Sequence, residues 1–388
     1  MKKVLAYYNF SYPTGGGEYL PLSFLASLAE KSDVTLAVDR EDGLYRAIDL
    51  FGIRPDLKRM KTVRLMPEDY SPHDSSPLLA FRRSRILKRL AKDADTCVSF
   101  ANIMDFGKPG HHFMTMVEFG DPDFTDFAKG IPPPPRLSAK RVKRFVSGRI
   151  VRPLLGMRSK RSIILDPRER IYPNSFFVDG LMKSFYGEFP SSVFYPPTVY
   201  APSASTAERN KLRVVCICRI SPEKRLESIV RIVEAARRKS GLDFELCIAG
   251  PIDRKTGYTD SLRRAAAERP WLKLPGALFG EEKDAFLQSG TFAIHAGTVE
   301  TFGIAVSEYL KAGLVALAPD KGGAGEVVGC KELVYGSEEE ASATLCRLAE
   351  DGAFLARCRE KLAARAEYFS KENYFARQEE LIERMLSE

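Results

Sequence analysis

The stretch from His295 to Gly313 sets Glu300 in a glycine-containing turn and Glu308 on a short helix. Thr291 to His295 reads as a buried strand, and Ile304 to Lys311 as a helix stopped by Gly313. Glu300 then lies at the carboxyl end of a strand, where open α/β sheets bind ligands. The helix start behind it offers the N–H groups of Phe302, Gly303 and Ile304 to an anion. Glu308, further along that helix, reaches a second part of the same ligand, such as a ribose diol. A second segment has the same build. The apolar run Leu212 to Cys218 enters a loop holding Arg219 and Lys224, and a helix pattern follows with Leu226, Ile229, Val230 and Val233 on one face. Two cations and a helix start at a strand end suit a diphosphate, whose oxygens favour charge-assisted contacts. On spacing alone, ordinary surface carboxylates and solvated loop cations fit equally well.

Together the two segments resemble the retaining glycosyltransferases of family 4, also called group 1, which have the GT-B fold. The family's E-G-F-G followed by E appears as Glu300-Thr301-Phe302-Gly303 followed by Glu308, and its G-R-x-x-x-E-K loop as Cys218-Arg219-Ile-Ser-Pro-Glu223-Lys224. The strand-like run Phe244 to Gly250, the Leu274-Pro-Gly276 loop with the helix Glu281 to Leu287, and the strand Val315 to Asp320 with its glycine turn follow in the family's order. Cys218 and Thr301 stand where the family often has glycine. The resemblance implies that Arg219 and Lys224 stabilise the diphosphate leaving group and that Glu308 binds the ribose. It implies further that Glu300, with Thr301, Phe302, Gly303 and Ile304, holds the sugar, with Gly250 and Leu278 also lining the donor site. It implies no bound metal and no cofactor.

The amino-terminal half matches more loosely. Val4 to Tyr8 reads as a first strand, and Gly15-Gly16-Gly17-Glu18 as a turn opening a helix with Leu22, Leu25, Leu28 and Ala29 on one face. Glycines there let the backbone approach a phosphate or sugar closely. The pattern is not G-x-G-x-x-G, which weighs against a dinucleotide-binding dehydrogenase. It resembles the family's G-G-x-E loop, in the version found in mannosyltransferases that extend lipid-linked glycans, so Gly15, Gly16 and Gly17 are expected at the donor. Where relatives carry a histidine after a strand of this half, the chain has Glu118 or, one register off, Val117; Glu118 is either a catalytic residue positioning the sugar or acceptor or a structural carboxylate.

A chain of 388 residues is long enough for two α/β domains. A Pro- and Ser-rich stretch from Tyr195 to Thr206 suggests residues 1–205 as an acceptor-side domain and 206–365 as a nucleotide-sugar domain. The family resemblance implies that residues 366–388 form a helix returning to the first domain. The implied fold is α/β, two Rossmann-like domains facing across a cleft. No run of 18 apolar residues occurs, and the start imitates a signal peptide only briefly before Asn9 and Pro13 break it. Seven cysteines without C-x-x-C spacing, and four scattered histidines, suit a reduced cytoplasmic setting and no metal cluster.

The net charge of +8 is concentrated. Arg136 to Arg161 holds ten cations and no acid, interleaved with Val142, Phe145, Val146, Ile150 and Leu154, after the Pro132–Pro135 spacer. A second basic face, Arg82 to Arg89, lies on a predicted helix. Such a strip fits an anionic membrane surface, a solvated basic helix or nucleic acid. With glycosyltransferase motifs present, the membrane is preferred and nucleic acid set aside. The partners are then a nucleotide-sugar donor and a glycan or polyprenyl-linked acceptor, met from the cytoplasmic side of a membrane. A GT-B-fold epimerase or phosphorylase, and a non-catalytic sugar-nucleotide binder, stay open as alternatives.

Overall fold

Runs rich in Val, Leu, Ile and Ala make the central strands of each sheet, as expected for parallel sheets covered on both faces. The computed structural model describes residues 1–10, 16–67, 77–117, 121–135, 138–203, 208–251 and 257–388. Gly15, Glu118 and Arg136 lie outside them. The chain forms two units: Met1–Pro196 with Tyr374–Glu388, and Pro197–Asn373.

In the first unit, β1 (Lys3–Tyr7), β2 (Asp33–Val38), β3 (Met60–Arg64), β4 (Thr96–Ser99), β5 (His111–Met114) and β6 (Arg170–Pro173) form one sheet. Its order is β3-β2-β1-β4-β5-β6, with every pairing parallel. The helix Tyr19–Lys31 buries Leu22, Leu25, Leu28 and Ala29 against one face. Phe24 meets Phe100, Phe113 and Phe194 with ring centroids 4.9 to 5.4 Å apart, within the range where tilted aromatic pairs add to area burial. The carboxyl-terminal helix supplies Tyr374, Leu381, Ile382 and Met385 to the same core. Its one deeply buried amide, Gln378, is satisfied by Ser23 and Ser27.

The basic strip divides in this unit. Arg158 bonds Glu169 at 2.7 Å and Asp166 at 2.9 Å, and Lys160 bonds the Ile103 carbonyl, so both are internal. Arg144 is internal too, paired with Asp123 and Asp126. The second basic face lies on the helix Pro77–Ala91.

In the second unit, β7 (Arg213–Ile217), β8 (Glu245–Ala249), β9 (Leu272–Gly276), β10 (Phe292–Ile294), β11 (Val315–Pro319) and β12 (Val334–Tyr335) form the other sheet. Its order is β12-β11-β10-β7-β8-β9, again all parallel. The helix Leu226–Ser240 buries the predicted face, Leu226, Ile229, Val230 and Val233. Two parallel, helix-flanked sheets are thus the α/β architecture the sequence implies. Among the described residues no helix is long and apolar enough to cross a membrane, and no group of three or more His, Cys, Asp and Glu is placed to hold a metal.

Candidate functional site

In the second sheet the strand order reverses between β7 and β10, which are neighbours with Phe292 opposite Val214 and Ala293 opposite Val215. Such a switch point opens a crevice beyond the carboxyl ends of the two strands. The loop after β7 carries Arg219 and Lys224; the loop after β10 carries Glu300 and leads into the helix Ile304–Lys311. Topology alone therefore brings the two sequence segments together.

Backbone contacts fix the loops. Gly250, just past β8, has φ +148°, and a Cβ there would lie 1.7 Å from the Cys218 carbonyl oxygen. Only glycine lets these chains meet so closely. Gly303 caps the helix with φ 103° and ψ 58°, a left-handed conformation that a side chain would strain. The Gly323 N–H donates to the Glu300 carbonyl at 2.7 Å, tying the turn after β11 to the same loop. Tyr309, wholly buried, donates its hydroxyl to the Ile217 carbonyl and accepts from the Ile217 N–H at 2.7 Å, which locks the helix onto β7.

Lys224 Nζ lies 2.6 Å from Glu300 Oε2, and His295 Nε2 lies 3.7 Å from the same oxygen. Burial opposes the charge on Glu300, but Lys224 and His295 outweigh it and hold the carboxyl below the usual glutamate range. Burial likewise works against Lys224, and Glu300 reverses it, raising the ammonium. Burial pushes His295 down to about 4 despite Glu300, so its ring is neutral at pH 7. Arg219 stands apart, 62% exposed, and among the described residues its ion pair is with Glu223 at 3.1 Å. Such a surface pair contributes little. The sequence puts both cations in an exposed loop; the structure corrects this for Lys224, whose ammonium turns inward to a carboxylate 76 residues away in sequence but adjacent in space.

Glu308 pairs with Lys283 Nζ at 2.7 Å. Burial raises its carboxyl above the usual range, and Lys283 offsets that only in part. Lys283, on the helix Gly280–Gln288, and His295 are absent from the sequence-derived residues; Lys283 is the one cation in that helix, which was a usable signal. Thr301 is partly buried and Phe302 is buried against Phe369 with centroids 5.4 Å apart. Leu278, partly buried, sits in the loop between β9 and the Gly280–Gln288 helix. Gly16 and Gly17 belong to the first unit, in the turn opening the helix Tyr19–Lys31. Gly15 and Glu118 are outside the described residues.

Residues 202–366, nearly all of the second unit, match the family model of glycosyl transferases group 1. The second unit thus carries a group 1 glycosyltransferase domain. It is 29% identical to the Candida glabrata GDP-Man:Man(3)GlcNAc(2)-PP-Dol alpha-1,2-mannosyltransferase over a stretch covering 37% of this chain. That stretch spans only 31% of the Candida protein. Among solved structures, Anabaena HepE in complex with UDP and glucose covers 100% of both chains with a TM-score of 0.66 and 14% identity. Sucrose-phosphate synthase from Thermosynechococcus elongatus covers 100% of both chains with a TM-score of 0.68 and 12% identity. At such identities the likeness is one of fold, and the fold is GT-B.

Proposed function

We propose that this glycosyltransferase moves a hexose from a GDP- or UDP-sugar, with retention, to a glycan or lipid-linked acceptor. The observation that carries the reading is the Lys224–Glu300 pair at the strand-order reversal: a cation and a carboxylate held 2.6 Å apart where a ligand binds. The lysine matches a leaving diphosphate and the carboxylate matches sugar hydroxyls. Support for the donor and acceptor classes comes from the names of the Candida mannosyltransferase and of the Anabaena complex with UDP and glucose.

In the reaction, the bond from the sugar's anomeric carbon to the donor phosphate oxygen breaks while the acceptor oxygen bonds the same carbon from the same face. The acceptor's proton passes to a donor phosphate oxygen. Lys224, with Arg219 from the rim, stabilises the negative charge that accumulates on the diphosphate, a contribution that grows in the transition state. Glu308 accepts hydrogen bonds from the ribose hydroxyls. Glu300, with the backbone of Thr301 to Ile304, orients the sugar, and Gly250 and Leu278 border the nucleotide. His295 stays neutral and backs Glu300. Gly15, Gly16 and Gly17, with Glu118, contribute to donor and acceptor binding in this reading. The enzyme works from the cytoplasmic side, peripheral to a membrane.

A panel of nucleotide-sugars, scored by thermal shift and then by release of nucleoside diphosphate with and without EDTA, tests this. One GDP- or UDP-sugar should raise the melting temperature, since ligand at 100 times its Kd adds about 2.7 kcal/mol. Its diphosphate should be released with formation of a glycoside of retained configuration, EDTA making no difference. Binding without turnover would make the chain a sugar-nucleotide binder, and no shift with any donor would end the proposal.

A further inference from the structure

The helical stretch Ala139–Leu154 has its polarity reversed. It is α-helical to Phe145, widens into a π turn over Val146–Val151, and closes at Arg152–Leu154; no residue in it is buried. The side held to the first unit is the charged one. Arg144, with a side chain 14% exposed, bonds Asp123 at 2.7 Å and Asp126 at 2.8 Å, and Lys140 lies 3.5 Å from Asp126. The opposite side carries Val142, Phe145, Val146, Ile150 and Leu154, all between 39% and 81% exposed. A helix on a soluble surface turns its apolar stripe inward. A contiguous outward stripe marks an interaction surface.

Cations frame that stripe. No Asp or Glu occurs from Ser138 to Leu165. Arg141, Lys143 and Arg149 are exposed and form no ion pair among the described residues. Where the stretch ends, a groove of about 660 Å³ runs between the Leu155–Gly156 turn and the helix Pro77–Ala91, lined by Arg82, Arg85, Lys88, Arg89 and Lys92. Lys88 links the two walls by donating to the Gly156 carbonyl at 2.6 Å while pairing with Asp105 at 2.8 Å. Arg85, Arg89 and Lys92 are exposed and unpaired among the described residues.

We propose that this face of the first unit docks on an anionic lipid bilayer, Phe145, Ile150 and Leu154 entering the interface and the groove receiving lipid phosphates. Mixed cations and bulky apolar groups match that boundary, where acyl chains and phosphates lie side by side. A nucleic acid uses the cations and leaves the apolar stripe wet. A second copy of the chain brings the same positive charge and is repelled. The surface stands on its own observations and uses no donor-site residue.

Sedimentation of the full chain with phosphatidylcholine vesicles, with and without phosphatidylglycerol, tests the proposal. Wild type should sediment with the anionic vesicles and far less with the neutral ones. The triple change Arg141→Gln, Lys143→Gln, Arg149→Gln should weaken binding by up to roughly a hundredfold at low salt, taking about fivefold for each cation near the surface. Phe145→Ser, Ile150→Ser, Leu154→Ser together should weaken it by about tenfold or more at any salt. Both variants should melt like wild type, because none of the replaced side chains is buried, and both should release nucleoside diphosphate from the donor at the wild-type rate. Wild type left in the supernatant, an apolar variant that binds as wild type does, or release of wild type from vesicles by duplex DNA at equal phosphate would each overturn the docking surface. A dead donor assay with intact vesicle binding would instead tell against the donor site alone.

Discussion

Lys224–Glu300 and Lys283–Glu308 are nearly the same pair, a lysine 2.6 or 2.7 Å from a glutamate whose side chain is 20% or 12% exposed. Their carboxylates nevertheless titrate in opposite directions, Glu300 below the ordinary range and Glu308 above it. Burial acts the same way on both. The difference is company: Glu300 has His295 and more distant Arg219 besides its lysine, whereas Glu308 has Lys283 alone. One close cation does not overcome desolvation of this degree; Lys224 with the more distant Arg219, joined by His295 only where its ring is protonated near or below pH 4, does. Glu300 thus sits in a field built for charge, and Glu308 in a drier place suited to a neutral diol. The proposed division between sugar and diphosphate on one side and ribose on the other follows that line.

The sharpest way to break the comparison is to remove the lysine from the charged pair. Lys224→Ala should lower kcat by about 10²–10³-fold, the scale for losing one preorganised electrostatic partner. Lys283→Ala should act mainly on nucleotide affinity. Equal effects of the two on kcat, measured with the donor identified by thermal shift, would put the leaving group elsewhere.

The glutamates themselves come next. Glu308→Ala should weaken free nucleoside diphosphate by about 1.5–3 kcal/mol, roughly ten- to a hundredfold in Kd, because the lost bonds go to ribose in every state. Glu300→Ala should leave the free diphosphate's affinity close to wild type and weaken the intact sugar donor. Calorimetry with both ligands decides, and matching losses for both variants would erase the division of roles.

Much of this site could be read in the sequence because each half is local. Glu300 and Glu308 share one turn and one helix, and Arg219 and Lys224 share one loop, so period and punctuation marked the segments, while the family resemblance assigned their roles. The helix Ile304–Lys311 has the bounds its glycines predict. What the sequence did not show depends on distance along the chain. Lys283 is 25 residues from Glu308 and Lys224 is 76 from Glu300, and only the order β10-β7-β8 brings such partners together. The same holds in the first unit. The count of cations from Arg136 to Arg161 was plain, but Arg144 and Arg158 are neutralised by acids from other segments, which no local pattern reveals. The fold class was implied by the repeated strand-loop-helix segments together with the family resemblance; the strand order, a matter of long-range pairing, was not legible.

A smaller effect is expected at Arg219. Its guanidinium is exposed and its ion pair with Glu223 is solvent-screened. Arg219→Ala should therefore cost less than Lys224→Ala, about tenfold in kcat/KM, and the loss should shrink as salt shortens the screening length. A loss as large as that of Lys224→Ala, insensitive to salt, would mean that Arg219 closes onto the diphosphate as a full partner.

The smallest effect is on stability, and it separates the two pairs by sign. Glu300 is held below the ordinary glutamate value of 4.5 when folded. Its contribution is therefore present above that value and is lost as pH falls through the folded pKa. Glu308 is held above 4.5 when folded. Its contribution is present below 4.5 and is lost as pH rises through the folded pKa. Replacing each by glutamine removes the titration. Relative to wild type, Glu300→Gln should become progressively less stable as pH climbs from about 3 toward neutrality, while Glu308→Gln should improve over the pH range just above 4.5. Urea unfolding of wild type and both variants across that range gives the two difference curves. Slopes of opposite sign would uphold the reading that company, not burial, distinguishes the pairs. Slopes of the same sign would mean that Lys283 overcomes burial as completely as the group around Glu300 does, and the physical basis for assigning one glutamate to charge and the other to ribose would fall.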